Sequence, residues 1–245
     1  MTRVVRLERV DSTQASAFAL AAAGAEDRTV VVADYQAAGR GRRGRAWAAA
    51  SGQSLLTTIL LRPRLAPVQW PAYSLVTAVA VAETLARTAA LGPRLKWPND
   101  VLIGGKKIAG ILLESRLVGD AAKSVVAIGV GVNLAQRAFP AGLAARATSV
   151  ALESGRVVPR DTVLAALLEA FDAWRARFES EGMRPVRSRW LALADTIGRR
   201  VSIDGVSGVA VDLDADGALV LEDGGRRHRV MAGEVAEEVE HAARR

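Results

Sequence analysis

From about Ala72 to Ala90 the chain is apolar nearly all round: Leu75, Val76, Val79, Val81 and Leu85 dominate, and only Glu83 and Arg87 form a narrow polar stripe. A helix with such a surface has to be covered by other elements. Strands are available to cover it. Val4–Val10, Thr29–Ala33 and Ser54–Leu61 are apolar and rich in β-branched or aliphatic residues, as are Lys106–Leu117 and Ser124–Leu134. Gly104–Gly105 joins Arg94–Ile103 to the next strand as a hairpin turn. A second helix is expected over 12–23, capped by Ser12 or Thr13 and closed by Gly24. A third, amphipathic, starts near Asp161 with Leu164, Leu167, Leu168, Phe171, Trp174 and Phe178 on its apolar face and ends at Gly182; a short helix follows over Arg187–Ala194. The expected class is α+β, a mixed β-sheet packed with helices.

The pattern changes at Ile197. Val201 and Ile203, then Val209, Val211 and Leu213, then Leu219 and Leu221 alternate with period two, and Asp204–Gly205, Asp216–Gly217 and Asp223–Gly225 supply tight turns. Such a tail makes a small antiparallel β-barrel. The expected division is one domain over 1–195 and a second over 196–245.

Several functions are excluded by what is missing. There is no cysteine, so thiol catalysis, thiolate metal sites and disulfides are out. The two histidines, His228 and His241, both lie near the end and do not make a histidine cluster. No apolar run reaches membrane-spanning length and no signal-peptide pattern opens the chain, so a cytoplasmic protein without membrane attachment is expected. The net charge of +7 favours anionic partners.

Four motifs carry chemistry. In the stretch Asp34–Trp47, Arg40, Arg42, Arg43 and Arg45 are interleaved with Gly39, Gly41 and Gly44. Arginine offers a planar, permanently charged fork to phosphate or carboxylate, and glycine lets the backbone approach a ligand. The glycine spacing matches a dinucleotide fingerprint, but no helix opens on Gly44 and position 64 is arginine rather than an acid, so that reading is rejected. A solvated basic loop is the plain alternative. Four like charges and three glycines in such a loop are expected to be poorly ordered until an anion is bound. Lys96–Asp100 places Asn99 and Asp100 at a strand entrance, where they serve either a nucleotide or an Asx-turn. Lys106 and Lys107 face opposite ways on a strand, so only one can enter a site. Gly129 and Gly131, in the run to Asn133, sit inside a strand and mark a close approach by backbone or ligand.

Ser12–Thr13, Tyr35–Gln36, the Gly39–Gly44 loop with Trp47, Lys96–Asp100, Lys107–Gly110 and Gly129–Asn133 occur in this order, and together the set resembles the biotin protein ligases. The likeness covers nearly the whole chain, including the tail Met231–Glu234. It implies a class II synthetase-like catalytic domain followed by an SH3-like barrel. It also implies the short, monofunctional class that lacks an N-terminal winged-helix domain. The reaction implied is ATP-dependent formation of biotinyl-5′-AMP and transfer of biotin to a lysine of a biotin carboxyl carrier protein domain. ATP with Mg²⁺ is the implied cofactor, the metal carried by the phosphates rather than by protein ligands.

By the same resemblance, Ser12, Thr13, Gln14 and Gln36 hold the biotin head group. Gly39, Arg40, Gly41 and Arg42 close over biotin and the phosphate, with Arg42 and Lys107 catalytic. Trp47 shields the adenylate or simply packs. Gly110, Gly129 and Gly131 leave room for ligand or a neighbouring strand, and Asn99, Asp100 and Asn133 lie beside the nucleotide. Gln14 departs from the family's usual asparagine, which puts a side-chain contact there in question. A lipoate or other acyl-adenylating ligase is the neighbouring alternative. A nucleic-acid-binding module is the alternative of another class, opposed by the absence of any Phe, Tyr or Trp after Ile197 for base stacking; no DNA partner is expected. A homodimer through a sheet edge and a monomer both stay open.

Overall fold

A computed structural model describes residues 3–118 and 124–237. Lys123, His241 and the rest of the expected barrel domain's last residues lie outside them. Strand β1 (Val4–Val10) leads to Ser12, whose hydroxyl accepts the Gln14 N–H at 3.3 Å and caps α1 (Thr13–Ala22). Next come β2 (Val30–Gln36), the arginine–glycine loop, and β3 (Ser54–Leu61), which is buried along its whole length. The apolar helix is α2 (Ala72–Ala89), stopped by Ala90 in the left-handed region at φ 54°.

Strands β4 (Arg94–Lys96) and β5 (Asp100–Ile103) turn through Gly104 and Gly105 into β6 (Lys106–Arg116), and β7 (Val125–Asn133) follows. Two short helices that no periodicity announces, α3 (Ala141–Ala144) and α4 (Val150–Ser154), lead to α5 (Arg160–Glu181). Helix α6 (Met183–Leu193) begins before the expected Arg187, because Pro185 falls in its first turn, where a missing N–H leaves no bond unmade. The tail forms β8 (Arg200–Ile203), β9 (Val206–Leu213), β10 (Leu219–Asp223), β11 (Arg226–Val230) and β12 (Ala236–Glu237).

Among the described residues the strands make two sheets. The larger is mixed, in the order β1-β2-β3-β7-β6-β5-β4, with β1 and β2 parallel and the other neighbours antiparallel. The smaller is antiparallel, in the order β11-β10-β9-β8-β12. Period-two alternation gives the large sheet two different faces. Leu55, Ile59 and Leu61 of β3 and Ile128, Val130 and Val132 of β7 point into one core with α2, α5 and α6. That core covers α2 from both sides, as its surface requires. Alternate residues face α1, where Leu60, Val125 and Ala127 pack on Phe18.

The two sheets share the larger core, to which Val201, Ile203, Leu213 and Leu219 also belong. The stretch after α6 is tied to β4, where the Asp195 N–H donates to the Leu95 carbonyl at 2.8 Å, and the Trp97 indole N–H reaches the β9–β10 turn at the Gly217 carbonyl, 3.2 Å away. No described helix is long and apolar enough to cross a membrane.

Candidate active site

On the α1 face the sheet is nearly bare at its centre. Gly110 on β6 pairs with Gly131 on β7, Leu112 pairs with Gly129, and Asp100 on β5 pairs with Gly110. These residues floor a cavity of about 630 Å³, walled by α1, the arginine–glycine loop and the segment after β7. Eight basic and three acidic side chains line it, so its field selects anions.

At one end stands the N-terminus of α1. Gln36 Oε1 accepts the Thr13 N–H at 2.8 Å and the Thr13 hydroxyl at 3.0 Å, while the Thr58 hydroxyl donates to Thr13 Oγ1 at 2.8 Å. The Gln14 side chain is engaged within the chain. Its Nε2 donates across the floor to the Leu112 carbonyl at 2.9 Å and the Ala127 carbonyl at 3.3 Å. A Cβ on Gly129 would come within 3.1 Å of Gln14 Cδ, so glycine there makes room for this side chain.

Lysine 107 enters the cavity because of a bulge. In an unbroken strand Lys107 and Gly110, three apart, would face opposite ways. The pairing of β5 with β6 shifts between Val101 and Leu102, Ile108 becomes an extra residue, and Lys107 is re-aimed onto the face of Gly110. Its ammonium pairs with Asp100 at 2.6 Å and lies 5.5 Å from the centre of the Trp47 ring. Lys106 is exposed on the far side.

The loop is a small ladder rather than a tangle. The Trp47 N–H donates to the Gly39 carbonyl at 2.9 Å, Arg40 bridges Ala46, the Gly41 N–H donates to the Arg45 carbonyl at 2.7 Å, and Arg42–Gly44 turn the tip. Mutual repulsion of the arginines is answered one by one. Arg40 pairs with Glu114 at 2.7 Å, Arg42 donates to Asn99 Oδ1 at 3.3 Å, and Arg43 and Arg45 pair with Asp204 and Glu234. Burial, and then the neighbouring Arg43, lower the Arg42 guanidinium below its ordinary value, against the pull of Asp100 and Asp204. Asn99 is oriented by its own amide, which donates to the Ile111 carbonyl at 2.7 Å.

Gly39 is buried beneath the loop, off the cavity wall, where a Cβ would stand 2.4 Å from the Trp47 carbonyl oxygen. The Trp47 ring lies over the paired glycines, and Cβ atoms on Gly131 and Gly110 would be 2.5 Å and 3.1 Å from it. The room those glycines leave is therefore filled from within the chain. The Trp47 indole N–H is buried without a hydrogen-bond partner. Asn133 lines the cavity, but its amide donates to the Thr148 carbonyl at 2.9 Å and its Oδ1 accepts from Gln136 at 3.2 Å, holding the following segment in place.

That segment was not read from the sequence as part of a site. Phe139, Leu143, Arg146 and Ala147 form a wall opposite the loop. It is tied down where the Lys107 N–H donates to the Arg146 carbonyl at 2.8 Å and the Thr148 N–H to the Lys107 carbonyl at 2.9 Å. Its residues have no motif spacing; the one hint was an apolar stretch of about 15 residues with little secondary-structure signal, which is uncommon unless functional.

Residues 7–133 match the family described as "Biotin/lipoate A/B protein ligase family", and residues 196–236 match "Biotin protein ligase C terminal domain". The chain is 38% identical over 238 residues to the biotin–[acetyl-CoA-carboxylase] ligase of Paracoccus denitrificans, covering 94% of this chain and 98% of that one. It is 37% identical over 235 residues to the ligase of the same name from Mycobacterium tuberculosis, covering 91% and 85%. The biotin protein ligase of Aquifex aeolicus, solved in complex with biotin and ATP, superposes with a TM-score of 0.83 at 27% identity, covering 96% of this chain and 98% of that one.

Proposed function

This chain belongs to the biotin/lipoate A/B protein ligase family, and from that premise we propose that it joins biotin to ATP as biotinyl-5′-AMP and passes the biotinyl group to a lysine of a carboxyl carrier protein domain. The observation that carries the reading is the charged pair Arg42 and Lys107 converging over a glycine floor, beside a polar helix N-terminus.

The Ser12–Gln14 turn and Gln36 offer donors and acceptors to the ureido head group, and the carboxylate points toward Lys107. A biotin carboxylate oxygen attacks the α-phosphorus of ATP, and the bond to pyrophosphate breaks. Two anions must approach for this, so cations fixed beforehand lower the barrier. Lys107, released from Asp100 by the incoming carboxylate or phosphate, and Arg42 supply them. The acceptor amine then attacks the acyl carbon, and AMP leaves. No protein nucleophile takes part.

The Phe139–Ala147 wall suits the apolar face of the adenine, and Asn99 and Asp100 lie within reach of the nucleotide. Asn133 acts through that wall. Magnesium would arrive on the ATP phosphates: among the described residues no three acidic or histidine side chains gather to hold a metal.

The test is transfer. Purified protein with biotin, ATP and a carboxyl-carrier domain is expected to add one biotinyl group to one carrier lysine, read by intact mass. A carrier that stays unmodified, or is modified equally well with lipoate, would overturn the reading.

A further inference from the structure

The four loop arginines divide into two pairs. Arg40 and Arg42 reach Glu114 and Asn99 of the catalytic sheet, whereas Arg43 and Arg45 reach Asp204 and Glu234 of the small sheet. The two carboxylates stand on one corner of the small sheet. Asp204 opens the tight turn between β8 and β9 at φ 49°, and Glu234 follows Gly233 just before β12. At Gly233, with φ +148°, a Cβ would lie 2.1 Å from Ile203 Cγ2 and 3.2 Å from Asp204 Oδ2, so only glycine lets the second turn pack on the first. Gly233, Glu234 and Val235 themselves line the cavity. On the loop side, Arg43 holds a left-handed conformation at φ 54°, uncommon for a non-glycine residue, and that conformation sits at the tip from which it meets Asp204.

We propose that Asp204 and Glu234 are positioning residues: the C-terminal sheet latches the arginine loop shut over the cavity and so retains the acyl-adenylate until an acceptor lysine takes it. The inference rests on the ligase reading for what is retained, but not for the latch itself. All four side chains are about half exposed, from 45% to 64%. Each pair alone is therefore weak and screened by salt, and the latch depends on two acting on one short loop. Its opening is correspondingly easy, which a loop that must admit biotin and ATP in every cycle requires.

The test is the double variant Asp204→Asn/Glu234→Gln. Asparagine tolerates the left-handed backbone at 204. Glu222→Gln/Asp223→Asn is the control, removing acids of the same sheet that pair with Arg227 and Arg200. In ligand-free protein, trypsin is expected to cut at the loop arginines about two- to thirtyfold faster in the test variant than in wild type, the factor that two exposed pairs represent. The control should cut like wild type. Preformed biotinyl-5′-AMP should dissociate faster by a similar factor. In wild type alone, about 1 M salt should speed loop cleavage relative to cuts elsewhere, a measurement that no folding defect can confuse. Unchanged loop cleavage in the variant, or in wild type at high salt, overturns the latch; faster cleavage with unchanged adenylate release overturns its role in retention. If wild type forms no adenylate, the ligase reading fails, and the cleavage arm still decides the latch.

Discussion

On one face of β7 stand Ile128, Val130 and Val132; on the other, one residue along each time, stand Gly129, Gly131 and Asn133. The first set is sealed in the core with α2 and α5. The two glycines of the second set carry no side chain and are covered by parts brought from elsewhere, Gln14 from α1 and Trp47 from the loop, while Lys107 descends on Gly110 of the neighbouring strand. Stability and chemistry are thus separated by the period of a strand. Large aliphatic residues on the core face stabilise the sheet, and glycines on the other face let charged and aromatic groups descend to the backbone.

The contrast can be broken at several points. Lys107→Ala should lower biotin-dependent pyrophosphate exchange by about a hundred- to a thousandfold, the usual effect of losing one charge-stabilising group at a reacting centre. Its melting temperature should stay close to wild type, because Lys107 lies on the bare face. A large fall in melting temperature on calorimetry would mean that this face is structural after all. Gly131→Ala is next. Its new Cβ would lie 2.5 Å from the Trp47 ring, so Trp47 must lift, at a cost of about 1–3 kcal/mol. Weaker biotin binding by titration, together with shifted tryptophan fluorescence, is expected; unchanged affinity and emission would put Trp47 elsewhere.

One residue away from a floor glycine, Ile128→Val should do the reverse, losing about 1 kcal/mol of stability in denaturant while exchange is unchanged. Reduced exchange in that variant would show that the faces are coupled. The smallest change is expected at Arg6→Ala, which removes the exposed 2.8 Å pair with Asp161 far from the cavity. Stability should move by no more than about 0.5 kcal/mol, and activity not at all.

Much of this was legible in the sequence for local reasons. The apolar surface of α2, the Ser12 cap, the two strand glycines of β7 and the Asp–Gly turns of the tail each express their structure through neighbouring residues. What was not legible was long-range. A strand pattern shows that only one of Lys106 and Lys107 can enter the site, but the choice is made by the register of β5 against β6, which no single strand encodes. The arginines read as mutually repelling because their partners lie far along the chain: Asp204 is 161 residues from Arg43. Gly39 read as a ligand contact, and a second reason for glycine there was not legible: the loop's own backbone passes too closely for a Cβ. The Phe139–Ala147 wall had no motif because its role depends on shape and on backbone bonds to Lys107.

Lys107 and Arg42, held over the glycine floor, are proposed to neutralise the meeting of a biotin carboxylate with the α-phosphate of ATP. Exchange of labelled pyrophosphate into ATP tests it directly. Wild type should exchange only when biotin is present, and both Lys107→Ala and Arg42→Gly should fall far below it. Exchange that ignores biotin, or that survives both substitutions, would mean that these two cations do not act on the reacting groups.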